Sequence, residues 1–455
     1  NVQFFAGEKE VDGVKGGEGV IAPFLILGFY CALGGYCMKY VVLNVGNIFG
    51  AGFGNNGLGS GEVFGNMLTN QLESVIYGLI FVLLTLVIVM GGVSSGIEKF
   101  CSIGMPCLFF MLVIVIIRAC TLGGNDFAVA VLQPDGSTVE QLIHSSSLDG
   151  LKYMFQPGYV TGTGYYVPAT AEVAGQVVSA INGVPVVKFI NEIPNFISIL
   201  STAGGQMFFS LSLGMGIMIT YGSYLDKKQN IEKNALVIVI CDTLIALMAG
   251  LAVMPARFSL DATGAIGGPK LLFITMQNVF NSMGTVGYVF GIIFYLLVIL
   301  AAVSSSISLL EVIVAHFVDK ARDAGKGDKR KSYSAIAAVA AGLLCVLVCM
   351  DGLGSNGMAP FDILKIEANG WSDCWLDFLD MVSEGVLMPL GALLMSICIG
   401  YELKPQFVDE ECCLEGNAFK SKTFFNICIK SITPILMVLV LLGQLDSFFG
   451  LGLFS

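Results

Sequence analysis

The chain has 455 residues, of which 55% are hydrophobic and 13% charged, and its formal net charge is -11. Soluble domains carry about a quarter charged residues, so this composition is typical of a protein embedded in a lipid bilayer. A negatively charged chain without a basic, aromatic-rich face is not expected to bind nucleic acid. The chain has only two histidines and shows no nucleophile–base pair, so we do not expect an enzyme.

Nine apolar runs are long enough to cross a bilayer as helices. They cover residues 20–44, 74–92, 99–121, 204–224, 235–256, 286–318, 333–350, 376–400 and 424–449. We therefore expect residues 1–455 to form one transmembrane domain. Residues 122–203 are too polar to span and contain turn signals such as "QPDGS". We expect them to form a long extracytoplasmic loop insert, with structure of its own or the role of a lid.

The loops differ in their positive charge. Fifteen lysine and arginine residues lie in the loops on one side of the predicted membrane and five in those on the other. The positive-inside rule then places the N-terminal segment in the cytoplasm and the C-terminus outside. No Asn-x-Ser/Thr glycosylation acceptor occurs, which favours a bacterial inner membrane.

Residues 204–216, "GGQMFFSLSLGMG", place two serines and a Gly-x-Gly inside a predicted span. Small residues also serve helix–helix packing in membranes, which is the simpler interpretation. Gly214 and Gly216 are poor helix formers, however, and backbone freed from a helix at membrane depth must line a cavity or be buried in protein. The pattern favours a broken helix around a polar site.

Two further spans carry polar groups. Asp242 lies in the apolar run "VIVICDTLIALMAG", where a carboxylate indicates a functional site unless it is protonated and bonded to a neighbouring helix. "AAVSSSISLLE" contains Ser304, Ser305 and Ser306, whose hydroxyls either bond to carbonyls one turn earlier or bind a hard cation such as sodium. Tyr30, one turn from glycines in its span, is by itself more typical of packing.

Four stretches carry a resemblance: "APFLILGFYCALGGYCMKY" (22–40), "GVSSGIEKFCSIGMPCLFF" (92–110), "GQMFFSLSLGMGIMITYGSYL" (205–225) and "AAVSSSISLLE" (301–311). They closely resemble the neurotransmitter:sodium symporter family, above all its bacterial amino-acid transporters. The resemblance implies an all-α integral membrane protein with the inverted-repeat sodium symporter fold and discontinuous helices. It begins at the family's third helix, so we expect nine of about eleven spans here and two more upstream.

The resemblance also implies the roles of individual residues. Tyr30 would bond the substrate carboxylate, and the backbone carbonyls of the broken helix would hold the substrate amine. The implied substrate site consists of Ile26, Tyr30, Phe209, Ser210, Ser212, Met215, Ser305 and Leu309. Phe209 would close over the substrate from outside, and Tyr224 and Asp319 match the cytoplasmic gate.

The same resemblance implies two sodium ions. The first would be bound by Ser210 and Asp242, and the second by the carbonyl of Ala301 with the hydroxyls of Ser304 and Ser305. Because Asp242 supplies negative charge, we expect no chloride requirement. The expected function is sodium-coupled symport of a small apolar or aromatic amino acid by alternating access. Two alternatives stay open, namely the same fold carrying another small amine or osmolyte and a non-transporting amino-acid sensor.

Overall fold

The structure is a computed structural model that describes most of the chain. The described residues are 18–92, 97–156, 164–173, 176–181, 183–191, 193, 195–325, 329–366 and 370–453. Residues 93–96 of the quoted stretch 92–110 lie outside them.

The helices follow the predicted spans. Four precede the insert: α1 (Glu18–Phe49), α2 (Ser60–Thr69), α3 (Gln71–Met90) and α4 (Glu98–Cys120). The insert contains α5 (Ser147–Phe155). After it come α6 (Phe196–Ser210), α7 (Ile217–Gly222), α8 (Ile231–Leu260), α9 (Gly268–Lys270), α10 (Met276–Ser282), α11 (Gly284–Asp323), α12 (Arg330–Asp351) and α13 (Pro360–Leu364). A π-helical turn, Leu271–Thr275, joins α9 to α10.

Three helical segments complete the chain. They are α14 (Trp375–Glu402), which contains the π-helical stretches Met381–Leu387 and Cys398–Glu402, α15 (Pro405–Cys412) and α16 (Lys422–Phe449), which contains the π-helical stretch Cys428–Ile432. Within the described residues eight helices are long and apolar enough to cross a membrane. The predicted span 204–224 is the ninth, and it is interrupted between α6 and α7.

The core lies around α1, which packs against α3, α11 and α12. Because α1 is apolar on all sides, it is buried on most of its surface. A Cβ on Gly35 would lie 2.5 Å from the backbone nitrogen of Gly78, so α1 and α3 touch through their backbones. Close approach through small residues is the packing mode of membrane helices.

The insert forms a small β-domain that the sequence pattern did not predict. Its strands are β1 (Asn125–Leu132), β2 (Thr138–Ser145), β3 (Tyr165–Pro168), β4 (Ala171–Val173), β5 (Gln176–Val178), β6 (Ala180–Ile181) and β7 (Val184–Ile190). The main sheet has the order β2-β1-β7-β3, with β6 also paired to β7, and β4 and β5 form a separate hairpin. Successive residues alternate between two small cores, with Val129 and Val131 in one and Ala130 in the other.

Arg257, near the end of α8, joins the insert to the membrane helices. Its guanidinium is fully buried and donates hydrogen bonds from Nη2 to the carbonyls of Tyr166 (2.6 Å) and Gly264 (2.7 Å). Two residues further along α8, the carbonyl of Ser259 accepts a 2.9 Å hydrogen bond from Asn125. The C-terminal end of α8 is therefore bonded to both β1 and β3.

Candidate functional site

The predicted broken helix is present. Helix α6 ends at Ser210 and α7 begins at Ile217, and three residues between them have left-handed backbone: Ser212 (φ 55°), Gly214 (φ 75°) and Gly216 (φ 74°). The first of these is a Schellman C-cap, with Leu213 N–H bonded to the Phe208 carbonyl (2.8 Å) and Ser212 N–H to the Phe209 carbonyl (3.2 Å). Left-handed backbone is costly for serine, so this conformation is held by its surroundings.

The break leaves backbone carbonyls for a ligand. Phe209's carbonyl already accepts one hydrogen bond, from Ser212. Within the described residues, the carbonyls of Ser210 and Ser212 accept no backbone hydrogen bond across the break. They also lie beyond the C-terminal end of α6, where the helix dipole is negative. The arrangement therefore presents partial negative charge, which is suited to an amine or a cation.

Two glycines fit the break between neighbouring backbones. A Cβ on Gly214 would overlap the carbonyl oxygen of Met388 in α14, and a Cβ on Gly216 would lie 2.8 Å from the carbonyl oxygen of Gly19 in α1. Both positions also have positive φ, which glycine adopts at little cost. The backbone of the break is therefore packed closely between α1 and α14.

The predicted substrate-contacting side chains lie around this break. The rings of Tyr30 and Phe209 are 6.3 Å apart between centroids, and the hydroxyl of Tyr30 is directed towards the side chain of Ser305. Ile26, Met215 and Leu309 are buried in one apolar cluster, to which Tyr30 and Phe209 are packed. The structure therefore brings α1, the break and α11 together at one site.

Asp242 is in contact with the break. Ser210 Oγ lies 2.8 Å from Asp242 Oδ1 and 3.0 Å from Oδ2, so the hydroxyl donates to the carboxylate. The contact joins the end of α6 to the middle of α8. It brings together Ser210 and Asp242, the two residues that the resemblance implies for the first sodium.

The three serines of α11 divide into two kinds. Ser304 and Ser305 both direct their hydroxyls to the carbonyl of Ala301, at 2.8 and 3.4 Å, which brings three oxygen atoms together. The buried hydroxyl of Ser306 lies 3.0 Å from the Val303 carbonyl and also bonds to Thr85 on α3 at 2.8 Å. Ser306 therefore forms a hydrogen bond between α11 and α3, whereas Ser304 and Ser305 form an oxygen cluster suited to a hard cation.

The C-terminal half of α11 contains a contact that sequence reasoning missed. The Tyr224 hydroxyl donates to Glu311 Oε1 at 2.6 Å, and Arg330 donates to both oxygens of the fully buried Glu311, at 3.0 Å and 2.5 Å. The predicted partner Asp319 lies two turns further along α11, about 12 Å away along the helix axis, and does not join this contact. Its role at the gate stays a prediction.

Comparisons with known proteins agree with this geometry. The profile of the Sodium:neurotransmitter symporter family matches residues 195–453. The sodium-dependent transporter YhdH of Bacillus subtilis is 30% identical over 434 residues, covering 94% of this chain and 79% of the relative. A sodium-dependent transporter of Haemophilus influenzae is 25% identical over 437 residues, 95% of this chain and 79% of its own.

A solved structure shares the fold. The crystal structure of MhsT in complex with L-phenylalanine superposes with a TM-score of 0.70 at 27% sequence identity, covering 94% of this chain and 80% of that one. The interrupted helix, the oxygen-lined site and these relatives define a multi-pass, sodium-dependent membrane transporter. The chain belongs to the sodium:neurotransmitter symporter family.

Proposed function

We propose that this transporter moves a small apolar or aromatic amino acid together with sodium by alternating access. The observation that carries the proposal is the break between α6 and α7, where the Ser210 hydroxyl contacts Asp242 and the ring of Phe209 lies near that of Tyr30. The carbonyls suit an α-ammonium group, and the Tyr30 hydroxyl is a donor for an α-carboxylate. An amino acid carries both groups on one carbon.

The substrate side chain is proposed to be apolar because the remaining lining is apolar. Ile26, Met215 and Leu309 carry no polar group that could bond a charged side chain, and burying an unpaired charge is costly. Methionine is flexible, so Met215 can adapt to a bulky side chain. The complex of MhsT with L-phenylalanine supports the same class of substrate.

Two sodium ions are proposed to travel with the substrate. Ser210 and Asp242 would bind the first, and the Ala301 carbonyl with Ser304 and Ser305 the second. Two cations and a zwitterion bring net positive charge into a site of low dielectric constant, where a nearby carboxylate is worth far more than in water. Asp242 is proposed to supply that charge, so chloride would not be required.

The proposal also covers the membrane in which the protein lies and its orientation there. We infer a bacterial inner-membrane protein whose N-terminal segment is cytoplasmic and whose C-terminus is extracytoplasmic, from the unequal distribution of lysine and arginine. This orientation places the β-domain of the insert outside the cell.

The experiment is uptake of radiolabelled amino acids by the full-length protein in proteoliposomes. Uptake of leucine, phenylalanine or tryptophan should saturate, require a sodium gradient, and continue when chloride is replaced by gluconate at fixed sodium. Saturable uptake of glutamate or lysine in place of these would contradict the proposed substrate class. Inhibition of uptake by unlabelled osmolytes would favour the alternative that the substrate is another small amine or osmolyte.

Asp242→Asn tests the charge assignment directly. The amide keeps an acceptor for Ser210 but loses the charge, so we expect the sodium concentration for half-maximal uptake to rise about tenfold, or about 1.4 kcal/mol. Added chloride should partly restore wild-type behaviour. The matched control is Thr243→Ala, since that exposed hydroxyl bonds only to the Val239 carbonyl. If wild-type uptake is lost without chloride, Asp242 does not supply the negative charge that replaces chloride.

A further inference from the structure

A groove lies on the surface of the described residues, beside the helices that carry the transport site. Its volume is about 480 Å³, and it runs between α3, α4 and α11. The lining residues are Val87, Ile88, Gly91, Lys99, Phe100, Ile103, Gly104, Cys107 and Leu300. Val87 and Ile103 are 60% and 68% exposed, so the described residues leave the walls of the groove uncovered.

Lys99 is the charged member of this lining. It stands in the first turn of α4, at one end of the groove, and is exposed. Within the described part of the chain it has no acidic partner. The positive end of the α4 dipole adds to its charge. On the orientation inferred above, Lys99 lies at the cytoplasmic leaflet, where anionic lipids concentrate.

We propose that this groove binds an anionic phospholipid, with an acyl chain along the apolar lining and the phosphate at Lys99. The apolar walls select a lipid over free phosphate, because a phosphate ion would leave them uncovered. A lysine with its aliphatic stem on the groove and its ammonium group at the headgroup level is the expected arrangement at a membrane surface. The chemistry of this site is independent of the transport function proposed above.

Gly104 gives the proposal a steric test. A Cβ at this position would lie 3.7 Å from Phe100 and 4.0 Å from Leu300, which is ordinary contact, so alanine fits without displacing either neighbour. Leucine at the same position would extend into the groove and obstruct it. Gly104→Leu should therefore exclude the acyl chain, and Gly104→Ala is its matched control.

The experiment measures lipid retained by the purified full-length protein, using native mass spectrometry from nanodiscs. The discs contain equal amounts of phosphatidylglycerol and phosphatidylcholine with the same acyl chains. We expect the wild type to retain phosphatidylglycerol about fivefold over phosphatidylcholine. Lys99→Ala should bring that ratio near one, Lys99→Arg should keep it, and Gly104→Leu should lose the bound lipid. Lys233→Ala, which removes another exposed lysine of the cytoplasmic side, should behave as wild type.

Several results would overturn the proposal. One is an unchanged ratio in Lys99→Ala, and another is equal loss in Lys233→Ala, which would mean nonspecific attraction. Displacement of phosphatidylglycerol by inorganic phosphate would indicate a simple anion site. Thermal unfolding in detergent is measured for every variant, and Gly104→Leu is compared only if its melting curve matches that of Gly104→Ala. If Gly104→Leu fails this check, Ile103→Trp at the exposed wall replaces it, with the same expected loss.

Discussion

Two regions supply polar groups to the middle of this transporter, and they do so in opposite ways. Between α6 and α7 the helix stops, and backbone carbonyls face the site. In α11 the helix continues for 40 residues, and side chains carry most of the polarity, from Ser304 and Ser305 to Glu311. The position of a backbone carbonyl depends on the local backbone conformation, whereas the presence of a side-chain group depends on which residue occupies the position. The two regions should therefore respond to different kinds of substitution.

The largest effect is expected in the side-chain region. Arg330→Ala would leave the buried Glu311 without its cation, which typically costs about 3–5 kcal/mol of stability. Thermal unfolding in detergent measures this loss. The double variant Glu311→Gln, Arg330→Met should recover most of it, because neither residue then carries an unpaired charge. A single variant as stable as wild type would show that the contact contributes little.

The backbone region is tested by Gly214→Ala. Alanine is strained at φ 75° and its Cβ would overlap the Met388 carbonyl, so we expect a loss of about 2–4 kcal/mol and of sodium-dependent uptake. Gly222→Ala is the control, since a Cβ there meets nothing within 4 Å. Equal behaviour of the two variants would refute the claim that backbone conformation builds this half of the site.

The serine run of α11 contains its own internal control. Ser304→Ala and Ser305→Ala each remove a proposed sodium ligand, so the sodium concentration for half-maximal uptake should rise about tenfold, or about 1.4 kcal/mol. Ser306→Ala should leave that value unchanged and lower stability by about 1 kcal/mol, through loss of the bond to Thr85. Uptake assays and melting curves of the three variants distinguish a sodium ligand from a residue that stabilises helix packing. The opposite pattern would reassign the ligands.

The smallest effect is expected for Ser212→Gly. If Ser212 contributes its carbonyl and not its hydroxyl, glycine preserves the contribution and relieves left-handed strain. Stability should change by less than about 1 kcal/mol, and sodium-dependent uptake should continue. Abolished uptake in a well-folded variant would move Ser212 into the class of side-chain ligands.

The contrast between the two regions also shows what sequence reasoning could find. The break was predictable because glycines and serines crowded into one short stretch at membrane depth favour an interrupted backbone. The other long apolar runs predicted the eight helices that are long and apolar enough to cross a membrane. The β-domain was missed because turn signals interrupt the insert and four of its strands have only two to four residues, too few for alternation to be recognised. Glu311 was missed although it is an acid in an apolar helix, the signal that identified Asp242. Its partner Arg330 lies beyond a loop, and sequence spacing alone does not bring the two together.

The bonds between Arg257 and the insert have a consequence for work with this protein. Helix α8 carries Asp242 near its middle and is fastened to β3 at its outer end through the Tyr166 carbonyl. Any tilt of α8 must therefore carry the sheet with it or break buried hydrogen bonds. The exposed edge strand β2 offers an epitope that does not touch the transport site. An antibody fragment bound there would report the inclination of α8 from the side of the membrane on which the β-domain lies, and two crosslinked fragments would restrict its movement.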